Sequence, residues 1–543
     1  MSANAVKDDC FPLDARPWVP VFAGGATERV GLRELFARAH EFEGLAVALP
    51  PAASGLLRIL YVMAARITGL DEAASSDEWL DRRYALLEDR TRFVAPDVDR
   101  YFTDHADGLR LFDRSRPFLQ DPRLGAECSG SSGVNKLVMA RPAGNNQVFF
   151  GHFTDAEQVA LAPEEAVLHL IAQLYYGPSG QCTPRTVNGK RYGNTTAGPL
   201  RRTLSSHPVG RTLYETLLLG IPQPDTWPPA PRPGDRSDDI PPWERTVQPD
   251  PLDPLQPAAG PLCLLTEQYQ HAVLLQPAPD GLSVTDATIT WAFRVNRPTS
   301  RDPYLIWDEK KDGTTYPRDA KMERALWRDL DALILMDREG GRRPLIFDGL
   351  RGDQLPEPVL DGLRVVAYGF DQDGQTRDRT YFTATTPPLL TLLNSSDGAT
   401  DTDLAHGARE GREAAEKAAW HLATALRKAW RSYTTPFTED PPAGRPATAK
   451  TEKNSGRGAG KKNKDAGPWP EAALAEYWPA AEECFWDLLD SGDFSLAVPA
   501  FGRLALRAFD DTTASVASQP RGAKARESAR GLVRSLLDPD RGQ

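Results

Sequence analysis

The chain has 543 residues, of which 40% are hydrophobic and 26% charged, as is typical of a soluble globular protein with two or more domains. Its 75 acidic residues outnumber its 64 Lys and Arg residues, and the net charge of −11 excludes a protein that coats nucleic acid over its whole surface. Five scattered cysteines without a CxxC pair, together with apolar segments that are interrupted by arginine, predict a cytoplasmic protein with no zinc site and no membrane association.

The first part of the chain alternates between strand-like and helical patterns. Residues 10–21 (CFPLDARPWVPV) predict a short strand, and residues 30–42 (VGLRELFARAHEF) place apolar side chains at helical spacing. A buried helix is predicted from Gly55 to Leu70 and a second helix from Pro163 to Tyr176. Residues 109–124 (LRLFDRSRPFLQDPRL) lie between them and predict an irregular turn that buries an aromatic side chain.

The most unusual composition follows the second of these helices. Between Glu165 and Glu215 no acidic residue occurs. Inside this run, the predicted loop Thr183–Thr196 carries three cations and two turn-forming pairs, namely Arg185, Lys190, Arg191, Asn188–Gly189 and Gly193–Asn194. Glycine and asparagine permit positive φ and a close approach of the backbone to a ligand, and the clustered cations favour a phosphate backbone. A solvated surface loop explains the same composition equally well.

Beyond this loop, residues 222–257 are rich in proline and predict a surface connection. Strands are predicted at Cys263–Leu265, His271–Gln276 and Thr288–Asn296. Residues Leu363–Ala384 predict a strand, a turn with its tip at residues 371–375, and a second strand.

Helical patterns replace strand-like alternation from Pro387 onward. They predict four helices, at Ala408–Tyr433, Pro470–Leu489, Ser495–Phe509 and Lys524–Leu537. Residues 441–468 hold seven basic residues against two acidic ones and predict a disordered basic linker. The sequence therefore predicts an N-terminal globular domain over residues 1–386 and a helical bundle over residues 387–543.

No catalytic constellation is present in the sequence. The eight histidines are scattered, and neither a phosphate-binding GxxxxGK[ST] loop nor a GxSxG nucleophile motif occurs. We therefore assign no catalytic residue, no metal ligand and no cofactor, and the chain has the character of a binding protein.

The ordered set of motifs PWVPV, VGLRELFARAHE, RPFLQ, GNNQVFF, the basic loop and AGPLRRTL resembles the large subunit of the type I-E CRISPR Cascade complex, the CasA family. The resemblance covers essentially the whole chain and is best at residues 117–220 and 363–384. It implies an α+β fold, with a large mixed α/β N-terminal domain followed by a C-terminal four-helix bundle.

The resemblance also implies a non-catalytic function. The subunit would recognise the protospacer-adjacent motif in double-stranded DNA from the minor groove and promote strand opening for guide RNA pairing. Its implied partners are the DNA target, the CRISPR guide RNA, the other Cascade subunits and a helicase–nuclease that docks after the target opens.

The family's functional loops transfer to this sequence by position. The motif-reading loop falls on Arg185–Gly189, with Asn188 and Gly189 facing the groove and Lys190 and Arg191 on phosphates. The implied wedge between the strands comprises Gln372, Gly374 and Gln375, where one alignment gap decides which glutamine acts. The remaining implied contacts are those of a loop to the guide RNA and DNA (Asn145, Asn146, Phe149, Phe150) and those of supporting basic residues (Arg201, Arg202, Arg294, Arg297).

Two features depart from the family. Its motif-reading lysine should lie near residues 288–296, where no lysine occurs, and Arg294 or Arg297 is the nearest substitute. Some members also carry a cysteine cluster, which this chain lacks. On structural grounds Phe149 and Phe150 fit core positions better than a stacking role.

An alternative function of a different class stays open from the sequence alone. The chain could be a nucleic-acid-processing enzyme, or the regulator of one, with an unrecognised active site. A metal-dependent cleavage assay on the purified chain distinguishes the two functions.

Overall fold

A computed structural model describes residues 10–139, 141, 157–224, 238–253, 258–294, 301–335, 341–350, 352–373, 377–388, 403–435 and 467–537. The chain divides into two compact units, one comprising Met1–Leu326 and Ala332–Thr400, and the other Trp327–Asp331 and Asp401–Gln543. Strands occur in the first unit and long helices in the second, which confirms the predicted α+β class.

The strands pair into several small antiparallel sheets. Their bounds are β1 (Val19–Ala23), β2 (Ala26–Val30), β3 (Gly44–Leu45), β4 (Gly180–Val187), β5 (Lys190–Thr195), β6 (Leu204–Val209), β7 (His271–Pro277), β8 (Val284–Trp291), β9 (Trp307–Glu309), β10 (Thr315–Pro317), β11 (Gly341–Arg342), β12 (Arg364–Asp373) and β13 (Arg377–Thr385). The strand orders are β2-β1-β3, β10-β9-β11 and β13-β12-β6, with β4-β5 and β7-β8 as two-stranded pairs.

The first unit also contains helices, and the described part of the second unit is helical. Their bounds are α1 (Leu32–Ala37), α2 (Pro50–Thr68), α3 (Ser76–Asp89), α4 (Ala95–Asp104), α5 (Leu124–Glu127), α6 (Val134–Leu137), α7 (Pro163–Tyr176), α8 (Leu213–Leu219), α9 (Pro261–Thr266), α10 (Leu330–Ile334), α11 (Glu357–Gly362), α12 (Asp403–Thr434), α13 (Trp469–Ser491), α14 (Ala497–Thr512) and α15 (Pro520–Arg534).

Helix α2 forms the centre of the first unit. Nearly all of its side chains are buried, and it packs against α7, α8, α9 and β12. The helix begins with two prolines, whose missing N–H groups cost nothing in a first turn, and ends at Gly69 with φ of 71°. A polar contact crosses this core, because the buried Arg58 pairs with Asp302 at 3.1 Å and donates to Ser205 of β6.

Several predicted elements of the first unit are confirmed. Helix α7 has the predicted bounds, β7 covers the strand predicted at 271–276, and β12 with β13 forms the predicted hairpin. The predicted strand Cys263–Leu265 is wrong, because these residues lie in α9. Pro261 at the first position of that helix fixes a helical φ, and a run of three apolar residues does not distinguish strand from helix.

The basic loop is more regular than the sequence predicted. Residues Gly180–Val187 and Lys190–Thr195 pair as the antiparallel strands β4 and β5. The pair Asn188–Gly189 forms the turn between them, as predicted, but Gly193 and Asn194 lie inside β5 and form no turn.

Four helices, α12 to α15, pack into the predicted C-terminal bundle. Helix α12 contacts the other three through a face of alanines and glycines, and a Cβ atom on Gly411 would lie 2.5 Å from the Phe494 ring. The ring of Phe485 is fully buried and lies 4.7 Å from that of Trp327. The predicted linker 441–468 lies outside the described residues except for its last two.

Truncating Phe485 to alanine should destabilise the bundle strongly. Removing a fully buried phenylalanine ring costs about 3–5 kcal/mol of unfolding free energy through lost burial and the cavity left behind. Urea denaturation of the purified chain, followed by helical circular dichroism, measures the loss. Trp420→Ala is the matched control, since Trp420 is 62% exposed and its loss should cost less than about 1 kcal/mol. Equal losses for the two variants would contradict this packing.

Candidate nucleic-acid interface

The end of the β4–β5 hairpin is built from two residues with positive φ. Val187 pairs with Lys190, so that Asn188 and Gly189 make a two-residue loop with φ of 48° and 75°. Positive φ at both positions is what a type I′ hairpin turn requires, and Asn-Gly is the sequence that adopts it most readily. A Cβ atom on Gly189 would meet nothing within 4 Å, so the turn stands clear of the rest of the unit.

Two cations follow the turn directly. Lys190 and Arg191 are exposed, and neither forms an ion pair or a side-chain hydrogen bond within the described chain. Arg191 lies opposite the exposed Thr186 on the outer face of the hairpin. Both charges are therefore available to an external anion.

The inner face of the hairpin packs against β8. Cys182 and Val187 are buried against Trp291, and the Tyr192 ring meets the Trp291 ring edge-on at 5.8 Å. The indole Nε1–H of Trp291 donates to the carbonyl oxygen of Tyr192 at 3.2 Å. The hairpin is thus held along its length, which gives the turn and its two cations a fixed position.

Arg185 is buried and therefore does not face a ligand, contrary to the sequence-based expectation. Alternation along β4 places its side chain on the inner face, where its guanidinium pairs with Asp121 at 2.8 Å and Glu127 at 2.6 Å. It also donates to the carbonyl oxygen of Trp291 at 3.1 Å and lies over the Trp291 ring. Arg185 consequently anchors the hairpin from below.

The carboxylate of Asp121 is fixed from two sides. Arg123 donates to both of its oxygens at 2.8 and 2.9 Å, and Arg185 approaches from the interior. Burial alone would raise the pKa of Asp121, but the hydrogen bonds from Arg123 and the charge of Arg185 outweigh it and hold that pKa below its usual range. The ion pair therefore persists at neutral pH.

Arg294, the predicted substitute for a motif-reading lysine, lies beside the hairpin. Its guanidinium stacks on the Tyr192 ring at 4.2 Å and donates to the carbonyl oxygen of Asn194 at 2.9 Å. Within the described ranges it forms no ion pair. Arg294 thus adds a third cation with remaining N–H donors to the group formed by Lys190 and Arg191.

The other two supporting arginines that the structure describes are engaged within the protein. Arg201 is 5% exposed, and it donates to the carbonyl oxygen of Tyr176 at 2.7 Å and to the side-chain oxygen of Gln372 at 2.9 Å. Because it is buried, Arg201 does not present its charge to DNA as the supporting basic residue that the resemblance implies. Arg202 is ion-paired with Asp319 at 2.6 Å.

Gln372 lies within β12 and not at the tip of the hairpin. It pairs with Asp378, just after a register shift between Asp371 and Gln372, and its side chain accepts a hydrogen bond from Arg201. The remaining predicted site residues lie outside the described residues: Asn145, Asn146, Phe149, Phe150, Arg297, Gly374 and Gln375.

Sequence reasoning missed the residues that support the hairpin. Trp291, Tyr192, Asp121 and Glu127 were not singled out, although Trp291 lies inside the predicted strand Thr288–Asn296 and Asp121 follows the RPFLQ motif directly. Among the described residues, no group of His, Cys, Asp and Glu side chains is arranged to hold a metal ion, and no helix has the length and hydropathy to cross a bilayer.

Comparisons with known proteins give a consistent result. A family model described as CRISPR-associated protein Cse1 matches residues 13–518. The CRISPR-associated protein CasA/Cse1 of Thermus thermophilus is 28% identical over 378 residues, 67% of this chain and 68% of that protein. A chain of a solved CRISPR RNA-guided surveillance complex is 39% identical, with a TM-score of 0.82, and the match covers 96% of this chain and 99% of that chain. The solved structure of Thermus thermophilus CasA (Cse1) shares the fold. It is 20% identical with a TM-score of 0.70, and the match covers 97% of this chain and 99% of that chain.

Replacing Arg185 by methionine should destabilise the first unit by about 2–3 kcal/mol, because the partly buried Glu127 would lose this partner and the buried Asp121 would keep only Arg123. The loss should shrink only as the pH falls below about 4, toward the lowered folded-state pKa of Asp121. A carboxylate with a lowered folded-state pKa contributes stability above its unfolded pKa, and that contribution disappears once it is protonated.

Urea denaturation at pH 7 and at acidic pH measures both effects. Arg191→Met is the matched control in the same hairpin, and its stability should change by less than about 0.5 kcal/mol because Arg191 is exposed. A loss for Arg185→Met that is as small as the control's would show that the buried pairing is not an anchor.

Proposed function

The chain belongs to the CRISPR-associated Cse1 family, and we propose on this basis that it is the large, non-catalytic subunit of a CRISPR RNA-guided surveillance complex. In that complex it reads a short motif in duplex DNA from the minor groove and starts strand opening for guide RNA pairing. The likeness to a chain of a solved surveillance complex over nearly its whole length supports the assembly. The helicase–nuclease docking expected from the resemblance is part of the same proposal.

The observation that carries the proposal is the Asn188–Gly189 turn with its two unpaired cations. A minor groove of about 6 Å excludes a helix but admits a narrow turn, and Gly189 contributes no side chain that would obstruct the approach. The Asn188 amide can donate to the acceptors of an A·T pair or accept from the exocyclic amine of guanine. This is a coarse reading, which suits a short motif.

The cations around the turn supply affinity and orientation. Lys190 and Arg191 are exposed, and Arg294 has N–H donors beyond the one that it gives to Asn194. Contacts to phosphates position a protein on DNA without carrying sequence information. Because Arg294 stacks on Tyr192, its guanidinium is already oriented before DNA arrives, which lowers the entropic cost of binding.

Strand opening is assigned to the β12–β13 hairpin. Insertion of a polar side chain between base steps must offset an unstacking cost of a few kcal/mol, so the inserting residue has to be free to move into the duplex. The hydrogen bond from Arg201 to Gln372 favours Gln375 as that residue. Contact of Asn145–Phe150 with the guide RNA and DNA stays a prediction from the resemblance.

The double variant Lys190→Ala, Arg191→Ala should weaken duplex binding by the reconstituted complex to a similar extent for every motif. Each lost phosphate contact should also reduce the slope of log affinity against log salt by roughly one unit. Binding titrations at several salt concentrations measure both effects. Arg507→Ala is the control for the loss of an exposed cation away from the hairpin, since Arg507 lies on the bundle and its side chain is 83% exposed. If the double variant matches this control, the hairpin is only a solvated surface.

Replacing Asn188 by alanine should have a different effect. Loss of a base-edge contact should reduce discrimination between correct and incorrect motifs by about tenfold, while binding to incorrect motifs is nearly unchanged. Competition binding with a panel of motif duplexes measures the ratio. Lys190→Ala serves as the comparison, because it should lower all affinities and preserve their ratio. Unchanged discrimination in Asn188→Ala would remove the turn from the reading role.

A further inference from the structure

The β12–β13 hairpin extends beyond the sheet that supports it. Strand β6 pairs with β12 from Arg364 to Gly369, where Gly369 lies opposite Leu204. The residues Phe370–Asp373 continue past this last pair, and among the described strands they pair only with β13. We call Phe370–Asp373 the overhang. A two-stranded ribbon without a third strand is only marginally stable by itself, so its direction depends on side-chain contacts at its base.

Arg201 supplies such a contact. It precedes β6 by three residues, and its guanidinium lies over the Phe370 ring at 5.0 Å. From there the Nε–H donates to the side-chain oxygen of Gln372, and Nη1 donates to the carbonyl oxygen of Tyr176. Tyr176 is the last residue of α7, so that one buried guanidinium joins the end of this helix to the overhang.

Two neighbouring side chains at the base of the overhang, those of Asp371 and Gln372, hydrogen-bond to residues outside the hairpin. The register shift between Asp371 and Gln372 interrupts the alternation of faces along β12. The carboxylate of Asp371, which is 5% exposed, accepts the backbone N–H of Met322 at 3.1 Å, while Gln372 turns to Arg201. The overhang is therefore fixed at two adjacent positions before it reaches its tip.

The helix end that Arg201 contacts is also the root of the DNA-reading hairpin. Strand β4 begins at Gly180, four residues after Tyr176. The segment that carries Arg201 fits closely against this helix end, because Gly198 and Leu200 donate their N–H groups to Gly177 and Tyr175. A Cβ atom on Gly198 would lie 2.5 Å from the Tyr175 carbonyl oxygen, so the fit leaves no room for adjustment.

We propose that Arg201 is a positioning residue for strand opening, which holds Gln372 and so sets the direction of the overhang relative to the root of the DNA-reading hairpin. The inference rests on the proposed function and adds to it a structural link between the hairpin that reads the DNA motif and the hairpin that opens the strands. Arg201 does not contact DNA in this role, because its side chain is buried and its donors serve Gln372 and Tyr176.

The test uses the reconstituted complex with guide RNA and a target duplex that carries a fluorescent base analogue beside the motif. Arg201→Lys keeps the charge but lacks the planar guanidinium, which donates to Tyr176 and Gln372 at the same time. Gln372→Met keeps the side-chain volume but lacks the amide oxygen that accepts from Arg201. Both variants should bind duplex with unchanged affinity and salt dependence and open it about tenfold more slowly, as expected for loss of a hydrogen bond to a charged group. The defect should vanish on DNA that is already unpaired beside the motif.

Gln372→Glu is the conservative control. It retains an acceptor for the Arg201 Nε–H, so opening should stay close to the wild-type rate. The double variant Arg201→Lys, Gln372→Met should open no more slowly than either single variant, because both changes remove the same contact. Additive defects, or a salt dependence reduced by about one unit in Arg201→Ala, would overturn the inference and indicate a direct phosphate contact. If substitutions at Arg201 prevent folding, the contrast between Gln372→Met and Gln372→Glu decides the same question.

Gln375→Ala separates this inference from the proposed function. If Gln375→Ala opens duplex slowly but Arg201→Lys and Gln372→Met open it at the wild-type rate, the positioning role is wrong and the wedge assignment stands. If none of these variants slows opening, the assignment of strand opening to this hairpin fails. If duplex binding itself shows no motif dependence, the proposed function fails irrespective of Arg201.

Discussion

A buried arginine between two carboxylates is the constraint on which the candidate interface depends. Arg185 lies under the β4–β5 hairpin, paired with Asp121 and Glu127. A guanidinium without partners would be too costly to bury, so β4 can settle on the first unit only in the register that brings Arg185 to both carboxylates. That register fixes the position of the turn at the other end of the strand. The candidate interface is thus positioned from within, by charges that lie beneath the hairpin.

The run without acidic residues between Glu165 and Glu215 contains cations on both faces of the β4–β5 hairpin. Residues that alternate along a strand face opposite sides, so Arg185 points inward while Arg191, which lies opposite Thr186, points outward. Arg201 and Arg202, a few residues later, are held by Tyr176, Gln372 and Asp319. The run therefore contains two kinds of cation, namely arginines that hold the fold together and exposed residues without an ion pair in the described chain. Counting charges along the sequence could not separate them, because the separation depends on three-dimensional partners.

The spacing of apolar residues predicted those helices and strands that bury one regular face. Helix α7, the strands of the β12–β13 hairpin and the C-terminal helices carry clear repeats, and the structure has them. The Asn188–Gly189 turn was also predictable from local sequence, because the Asn-Gly dipeptide by itself favours this type of turn. The anchoring role of Arg185 was not predictable, because Asp121 lies 64 residues away along the chain. The short apolar run at Cys263–Leu265 carries no period long enough to separate helix from strand.

The two exposed cations beside the turn have no ion pair within the described chain, and this has an evolutionary consequence. Asn188 has no side-chain hydrogen bond within the described chain, and Lys190 and Arg191 have no ion pair there, whereas the anchor is wholly buried. Substitutions at Lys190 and Arg191 should therefore leave the stability of the scaffold nearly untouched, whereas substitutions at the buried Arg185 should lower it. On the proposed function, related chains can change their affinity for DNA one surface substitution at a time, on a framework that does not have to change with them.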